Sequence, residues 1–174
     1  MNVFKKLGYI NLEKDNLKIK SNNSIMYYNK NGGLHREDGP AVIYADGRRF
    51  WWVNGKRHRE DGPAIIQANG AKQWWLNGKL HREDGPARIS ANGTKEWYLN
   101  GKSHREDGPA FIDTDGEQEW WLNGKRHRTD GPAVIDADGR EEWWVNGRLL
   151  VAEELTAFLA TVKKRRARLK NYKS

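Results

Sequence analysis

The chain contains no cysteine. That removes disulfides, thiolate catalysis and cysteine-ligated zinc together, and it is compatible with a reducing compartment. No stretch approaches the ~18 apolar residues that a membrane-spanning helix requires, and Met1 to Lys20 carries charges where a secretory signal needs an apolar run. The expectation is a cytoplasmic protein without a membrane span. Proline and histidine are missing everywhere except at one position each of a recurring segment. His35, His58, His81, His104 and His127 are the only histidines, and Pro40, Pro63, Pro86, Pro109 and Pro132 the only prolines.

What is present is repetition at a constant spacing of 23 residues. Each unit reads aromatic-aromatic-x-Asn-Gly-x-x-His-Arg-x-Asp-Gly-Pro-Ala-x-Ile, with small deviations, and all nine tryptophans fall between Trp51 and Trp144 at matching places. A fixed period of this length marks a stacked array of small supersecondary units forming one continuous domain. The formal charge of +8 is uneven. Residues 1 to 30 hold six basic and two acidic residues, residues 151 to 174 seven and two, and residues 31 to 150 eighteen and nineteen. The repeats are near neutral, so any attraction to nucleic acid or an anionic surface belongs to the ends.

Within a unit, Pro63 to Ala68 and Gln73 to Asn77 are β-prone runs of about five or six residues on either side of Asn69-Gly70. The pattern predicts a hairpin with a type I′ turn at that dipeptide, and Asp46-Gly47, Asn92-Gly93, Asp115-Gly116 and Asp138-Gly139 fill the same slot. Gly55 to Gly62 is a longer connection with room for a second Asn-Gly turn. Alternation groups Ala64, Ile66 and Ala68 on one side, expected as the core. Trp51, Trp74, Trp97, Trp120 and Trp143 form one aromatic column on the core side. Trp52, Trp75, Tyr98, Trp121 and Trp144 form a second on the more polar side, beside the variable positions Tyr44, Gln67, Arg88, Ser90, Phe111 and Asp113. Burying a tryptophan stabilises by roughly 4 to 6 kcal/mol, so the second column either stacks on itself under the His-Arg-Asp-Pro loops or forms a partly exposed recognition strip.

The ends depart from the pattern, as capping requires. Residues 1–25 read as an N-terminal cap protecting the first sheet edge, residues 26–148 as the array beginning with a degenerate half-unit at Met26-Tyr27-Tyr28, and residues 149–174 as a basic amphipathic segment. In the last, Val151, Leu155, Phe158, Leu159 and Val162 fall at helical spacing, with Glu153 and Glu154 early and basic residues late, as the helix dipole favours. The fold class expected is mainly β: an elongated, twisted antiparallel sheet of about five hairpins with a C-terminal capping helix.

The recurring His-Arg-x-Asp string invites a metal or catalytic reading, and geometry argues against both. Equivalent residues of successive hairpins lie two strands apart, about 9 to 10 Å, whereas zinc–nitrogen bonds of about 2.0 to 2.1 Å must converge on one ion. Catalysis needs one singular constellation, and five copies of one set provide none. Neither a metal, a cofactor nor an enzymatic activity is expected. Arg36 with Asp38 and Arg59 with Asp61 are expected to brace a tight loop. Lys163, Lys164, Arg165, Arg166, Arg168 and Lys170 are candidate contacts for nucleic acid or an anionic surface.

Asn54-Gly55-Lys56-Arg57-His58 and its copies, over about residues 28 to 147, resemble the MORN repeat, a hairpin unit that also runs Asn-Gly-Lys-x-His. They differ from it after the histidine, where Arg59-Glu60-Asp61-Gly62-Pro63-Ala64 intervenes. This form is similar to the MORN-like arrays of large bacteriophages and giant viruses. The resemblance implies a non-enzymatic scaffold or protein-binding surface, and by analogy alone a viral protein that binds and inhibits a host factor, such as a defence protein, in the host cytoplasm. The partner-binding candidates are therefore Trp52, Trp75, Tyr98, Trp121, Trp144, Tyr44, Arg88 and Phe111, with homodimerisation through a sheet edge as a further route.

Overall fold

The structure, a computed structural model, describes residues 16–20 and 24–171. The protein is mainly β, built of antiparallel hairpins and ended by one helix, Ala152–Asn171. Its chain divides into two compact units, Met1–Arg82 with Ala87–Ala91 and Glu83–Pro86 with Asn92–Ser174. In the first, strands follow the order Asn16–Lys20, Ser24–Tyr28, Val42–Ile43, Arg49–Phe50, Ile65–Ile66, Lys72–Gln73, Arg88–Ile89. In the second they run Lys95–Glu96, Phe111–Ile112, Gln118–Glu119, Val134–Ile135, Glu141–Glu142.

The runs expected as strands of five or six residues are broken. Lys72–Gln73 belongs to the ladder just described, whereas Trp75–Leu76 pairs with Lys79–Leu80 in a hairpin of its own. The break falls at Trp74, whose N–H donates to Ala87 O at 2.8 Å and whose carbonyl accepts from His81 N–H at 3.1 Å. Trp51, Trp97 and Trp120 make the same two bonds, to Ala64 and His58, Ala110 and His104, and Ala133 and His127. Each of these four tryptophans is thus a corner at which the chain leaves one ladder for another. Within each unit the small hairpins are joined in turn: Arg59 N–H donates to Trp75 O and Gly78 N–H to Arg57 O, and Arg128 N–H to Trp144 O and Gly147 N–H to Arg126 O. Each repeat therefore contributes to two ladders that meet along the corner column.

Turn chemistry also differs from the expected assignment. At Asn69-Gly70 only Gly70 has positive φ, Gly70 N–H donates to Gln67 O, and Gln67 N–H donates to Ala71 O. That is a three-residue loop, a type I turn closed by a left-handed glycine. The type I′ turn sits in the other connection, where Asn77 and Gly78 have φ of 50° and 81° between the paired residues Leu76 and Lys79. Asn54, Asn100, Asn123 and Asn146 repeat it. Two-residue loops demand positive φ at both positions and three-residue loops at only the last, so loop length decides which dipeptide takes which turn.

The buried side is also not the one alternation predicts. Ala64 is 0 % and Ile65 2 % exposed, whereas Ile66 is half-buried and Ala68, in the turn, is exposed. Ala64 lies across from the corner Trp51, which covers one side of the strand. Ile65 faces the other way, in register with Phe50 and Gln73. Val42 and Val134 repeat the burial of Ile65. Ile43, Ile66, Ile89, Ile112 and Ile135 instead line the outer side, in register with Arg49, Lys72, Gln118 and Glu141. Because the corner folds the second aromatic column toward the Ile65 side, the row expected to point outward is buried at Val42, Ile65 and Val134, half-buried at Phe111 and exposed at Arg88.

At the N-terminal end the half-unit is structurally complete. Tyr27 takes the corner position, donating to Ala41 O at 2.8 Å and accepting from His35 N–H at 3.0 Å. Asn16–Lys20 pairs along Ser24–Tyr28 and covers that edge; the rest of the expected cap, residues 1–15 and 21–23, lies outside the described residues. At the other end Leu150 N–H donates to Trp143 O at 2.8 Å, as a histidine does elsewhere, and the helix begins at Ala152 rather than Val151. Val151 is 61 % exposed and precedes the helix, its N–H capped by Glu154 at 3.3 Å. Val162 is buried and Phe158 meets Trp143 edge-on at 6.0 Å, so the expected stripe packs on the last repeat without Val151.

A left-handed L-residue costs about 1 kcal/mol where no side-chain bond supports it. Asn77→Ala should therefore lower the urea midpoint by about that free energy, while Asn77→Gly should leave it within a few tenths.

Candidate binding face

The loop after each histidine is held by one arginine. Arg59 stacks its guanidinium on Trp51, 4.2 Å from the ring centroid, donates Nε to Asp61 at 2.8 Å and Nη1 to Pro63 O at 3.3 Å. Arg36 on Tyr27, Arg105 on Trp97 and Arg128 on Trp120 repeat the arrangement, and Arg82 lies 4.1 Å over Trp74. These contacts bear out the bracing role of the Arg–Asp pairs; the stacking on the corner ring was not read from the sequence. Cation–π contacts of this kind are worth about 0.5 to 2 kcal/mol. Asp61 and Asp107 are held below the usual carboxylate range by the bond from, and the charge of, Arg59 and Arg105. The glycine before proline makes room for the stack: a Cβ on Gly131 would lie 2.6 Å from Arg128 Cζ.

Four of the histidines bond to the neighbouring repeat. His58 Nδ1 accepts the Asn77 backbone N–H at 3.1 Å, and His35, His104 and His127 accept those of Asn54, Asn123 and Asn146 at 3.0 to 3.1 Å. Accepting at Nδ1 fixes the neutral ring with its proton on Nε2, which points toward Glu60 at 3.5 Å. Among the described residues no three His, Asp or Glu side chains converge as metal ligands.

The second aromatic column lies on the buried side of the first ladder. Trp75 Nε1 donates to Gln73 Oε1 at 3.0 Å, Tyr98 OH to Glu96 at 2.9 Å, Trp121 Nε1 to Glu119 at 2.6 Å and Trp144 Nε1 to Glu142 at 2.7 Å. Trp52 has Phe50 at the matching place, and its Nε1 is buried without an acceptor. Two arginines enter this column. Arg57 lies 5.3 Å from the Trp52 ring and 5.0 Å from Trp75; Arg126 lies 5.4 Å from both Trp121 and Trp144. All five column members are half-buried, so the column is neither a sealed core nor a free strip.

The other candidates sort by position. Tyr44 is half-buried between Phe50, edge-on at 5.5 Å, and Arg48, stacked at 4.1 Å. Phe111, half-buried, is in register with Glu96 and Glu119 and so belongs to the column's face; Arg88, exposed, is in register with Gln73. Near the turns of the second unit Asp113 accepts from the Thr94 hydroxyl and the Thr114 N–H, which hold it below the usual range. Burial first, then the carboxylates of Glu119, Asp136 and Asp113, push Glu117 above it. On the helix Lys163, Lys164, Arg165 and Arg168 are exposed, and the side chains of Arg166 and Lys170 lie outside the described residues.

The structure thus gathers the column with Tyr44 and Phe111 on one kind of face and leaves the basic helix residues apart on another element. The arginines between the rings and Glu119 were missed. Their signal was present, since the residue two before each second-column aromatic shares its face, and Arg recurs at the variable place of Asn-Gly-Lys-x-His. An open cleft of about 740 Å³ between the Arg105–Pro109 and His127–Asp130 loops is lined by Asp107, His127 and Asp130, and one of about 700 Å³ lies between the helix and the last repeat. No protein-family model and no curated protein matches the chain.

Gly131→Ala should destabilise by about 1 to 2 kcal/mol by driving Arg128 off Trp120. Combined with Arg128→Leu it should cost much less than the sum of the two, read in a double-mutant cycle. For Glu117, a folded-state pKa above the ordinary value means the charged form is disfavoured on folding. That cost is present at neutral pH and disappears as pH falls through the raised value. Glu117→Gln should accordingly raise the urea midpoint at neutral pH and change nothing below the ordinary glutamate range; an equal gain at both would contradict this account.

Proposed function

We propose that this protein is a non-enzymatic repeat scaffold that binds a partner protein through the face carrying its second aromatic column. One observation carries the reading. Residues identical in every repeat are consumed by the scaffold, the arginine on its corner ring, aspartate and proline carbonyl, and the histidine on the next asparagine N–H. Chemistry that differs between repeats collects on the column's face, where Arg57, Leu80, Ser103 and Arg126 alternate at one place and Phe50, Gln73, Glu96, Glu119 and Glu142 at another. Identical framework with varied, half-exposed aromatic and charged positions suits recognition of an irregular protein surface, which tends to use aromatic and arginine anchors. The likeness to MORN-like viral arrays suggests a host factor, including a defence protein, as the class of partner.

The test is quantitative capture from lysate of the cell in which the chain is made, comparing wild type with Tyr44→Ala and Phe111→Ala, and with Lys72→Glu on the opposite side. A protein recovered at stoichiometric level, lost in the first two variants and kept in the third, is the expected result. Recovery of none would overturn the reading. Binding that instead disappears on removal of residues 162–174 and weakens steeply with salt would transfer the function to nucleic acid or an anionic surface contacted by the exposed Lys163, Lys164, Arg165 and Arg168.

A further inference from the structure

Two places in the array share a geometry and differ in charge balance. At Arg126, between Trp121 and Trp144, Nη2 donates to Glu119 Oε1 at 2.6 Å and Nη1 lies 3.7 Å from Glu142. Both indole N–H groups donate to these same two carboxylates. Glu119 is nearly buried, its side chain 13 % exposed. Three repeats earlier Arg57 occupies the same place between Trp52 and Trp75. The positions matching Glu119 and Glu142 are Phe50 and Gln73, so no carboxylate is supplied. Among the described residues Arg57 has ring contacts but no ion pair, and Trp52 Nε1 is buried without an acceptor. The protein thus builds the cationic and aromatic parts of the site twice and fills it from its own chain once.

We propose that the Trp52–Arg57–Trp75 site takes a carboxylate, and that its source is an aspartate or glutamate side chain of the protein partner; this rests on the protein-binding reading above. Because Phe50 stands where Glu119 stands at Arg126, the carboxylate comes from the solvent side of Arg57, accepting from the guanidinium Nη groups, with the Trp52 N–H as the additional donor once the guanidinium and the Phe50 ring turn aside. A half-buried cation and an orphaned indole N–H each gain most from a charged acceptor. One guanidinium matches one negative charge, and its planar fork matches two carboxylate oxygens. The apolar rim of Phe50, Trp52 and Trp75 suits the methylene stem that a side-chain carboxylate brings with it, which a free anion lacks.

Indole and guanidinium N–H resonances of the full chain, followed during titration with acetyl-Gly-Glu-Gly-amide, its glutamine counterpart and acetate, test the site. The glutamate peptide should move Trp52 Nε1–H and Arg57 Nε–H downfield and saturate. The glutamine peptide should move neither, and Trp121 and Trp144 should stay in place because their acceptors are filled. Arg57→Met should abolish the response with the Trp121 and Trp144 signals kept as a check on folding. Gln73→Glu, which retains the arginine and supplies a carboxylate in the chain, should abolish it as well. Equal responses to the two peptides, or a response that survives Arg57→Met, would overturn the site. Acetate matching the glutamate peptide at equal concentration would overturn its assignment to a protein. A captured partner that binds Arg57→Met unchanged would remove this site and leave the protein-binding function standing, whereas absence of any partner would remove that function without touching the indole result.

Discussion

At Tyr27, Trp51, Trp74, Trp97 and Trp120 the backbone serves two ladders at once, its N–H bonded into one and its carbonyl into the other. Every other feature answers to that corner. The strands from Val42 onward are two residues long because the chain turns at it; the arginine of the following loop stacks on its ring; and the small alanine across the ladder is buried. Tyr27 opens the series, and at its end Phe158 meets Trp143, at which no arginine follows because Val151 stands in that place. The helix therefore closes the array by substituting one aromatic edge for the guanidinium that the next repeat would have brought.

This economy gives the motif most suggestive of chemistry a structural role. The histidine's Nδ1 accepts a neighbour's backbone N–H, and the arginine is held by ring, carboxylate and carbonyl, so both brace the scaffold. Their repetition reflects the need to satisfy the same backbone groups in each repeat. The positions that the framework does not use lie where the bend brings strand side chains and the second column together. There, Arg126 and two indoles meet the carboxylates of Glu119 and Glu142, while Arg57 and two indoles meet none among the described residues, so small sequence changes at fixed backbone positions set the character of the surface.

Much of this was legible in the chain. The 23-residue period, the hairpin turns, the pairing of Arg with Asp, the grouping of Trp75 with Gln73 and the terminal helix all follow from local rules, because turns, alternation and helical spacing act over a few residues. What misled was the assumption that Gln73 to Asn77 is one strand. Periodicity cannot reveal a corner, since Trp74 has the same side-chain pattern whether its two backbone groups bond to one ladder or to two.

The sequence by itself determined the unit, its count and the residues available to brace it, for these depend on covalent spacing and short-range propensity. Only the tertiary structure decided which side is buried, which Asn-Gly takes the left-handed turn and which arginines meet a carboxylate. Those outcomes depend on where the chain bends and on what the next repeat places opposite. Ile65 is buried and Ile66 is not because the fold at Trp74 brings the second ladder over one side of the first, a relation between segments that no single repeat contains.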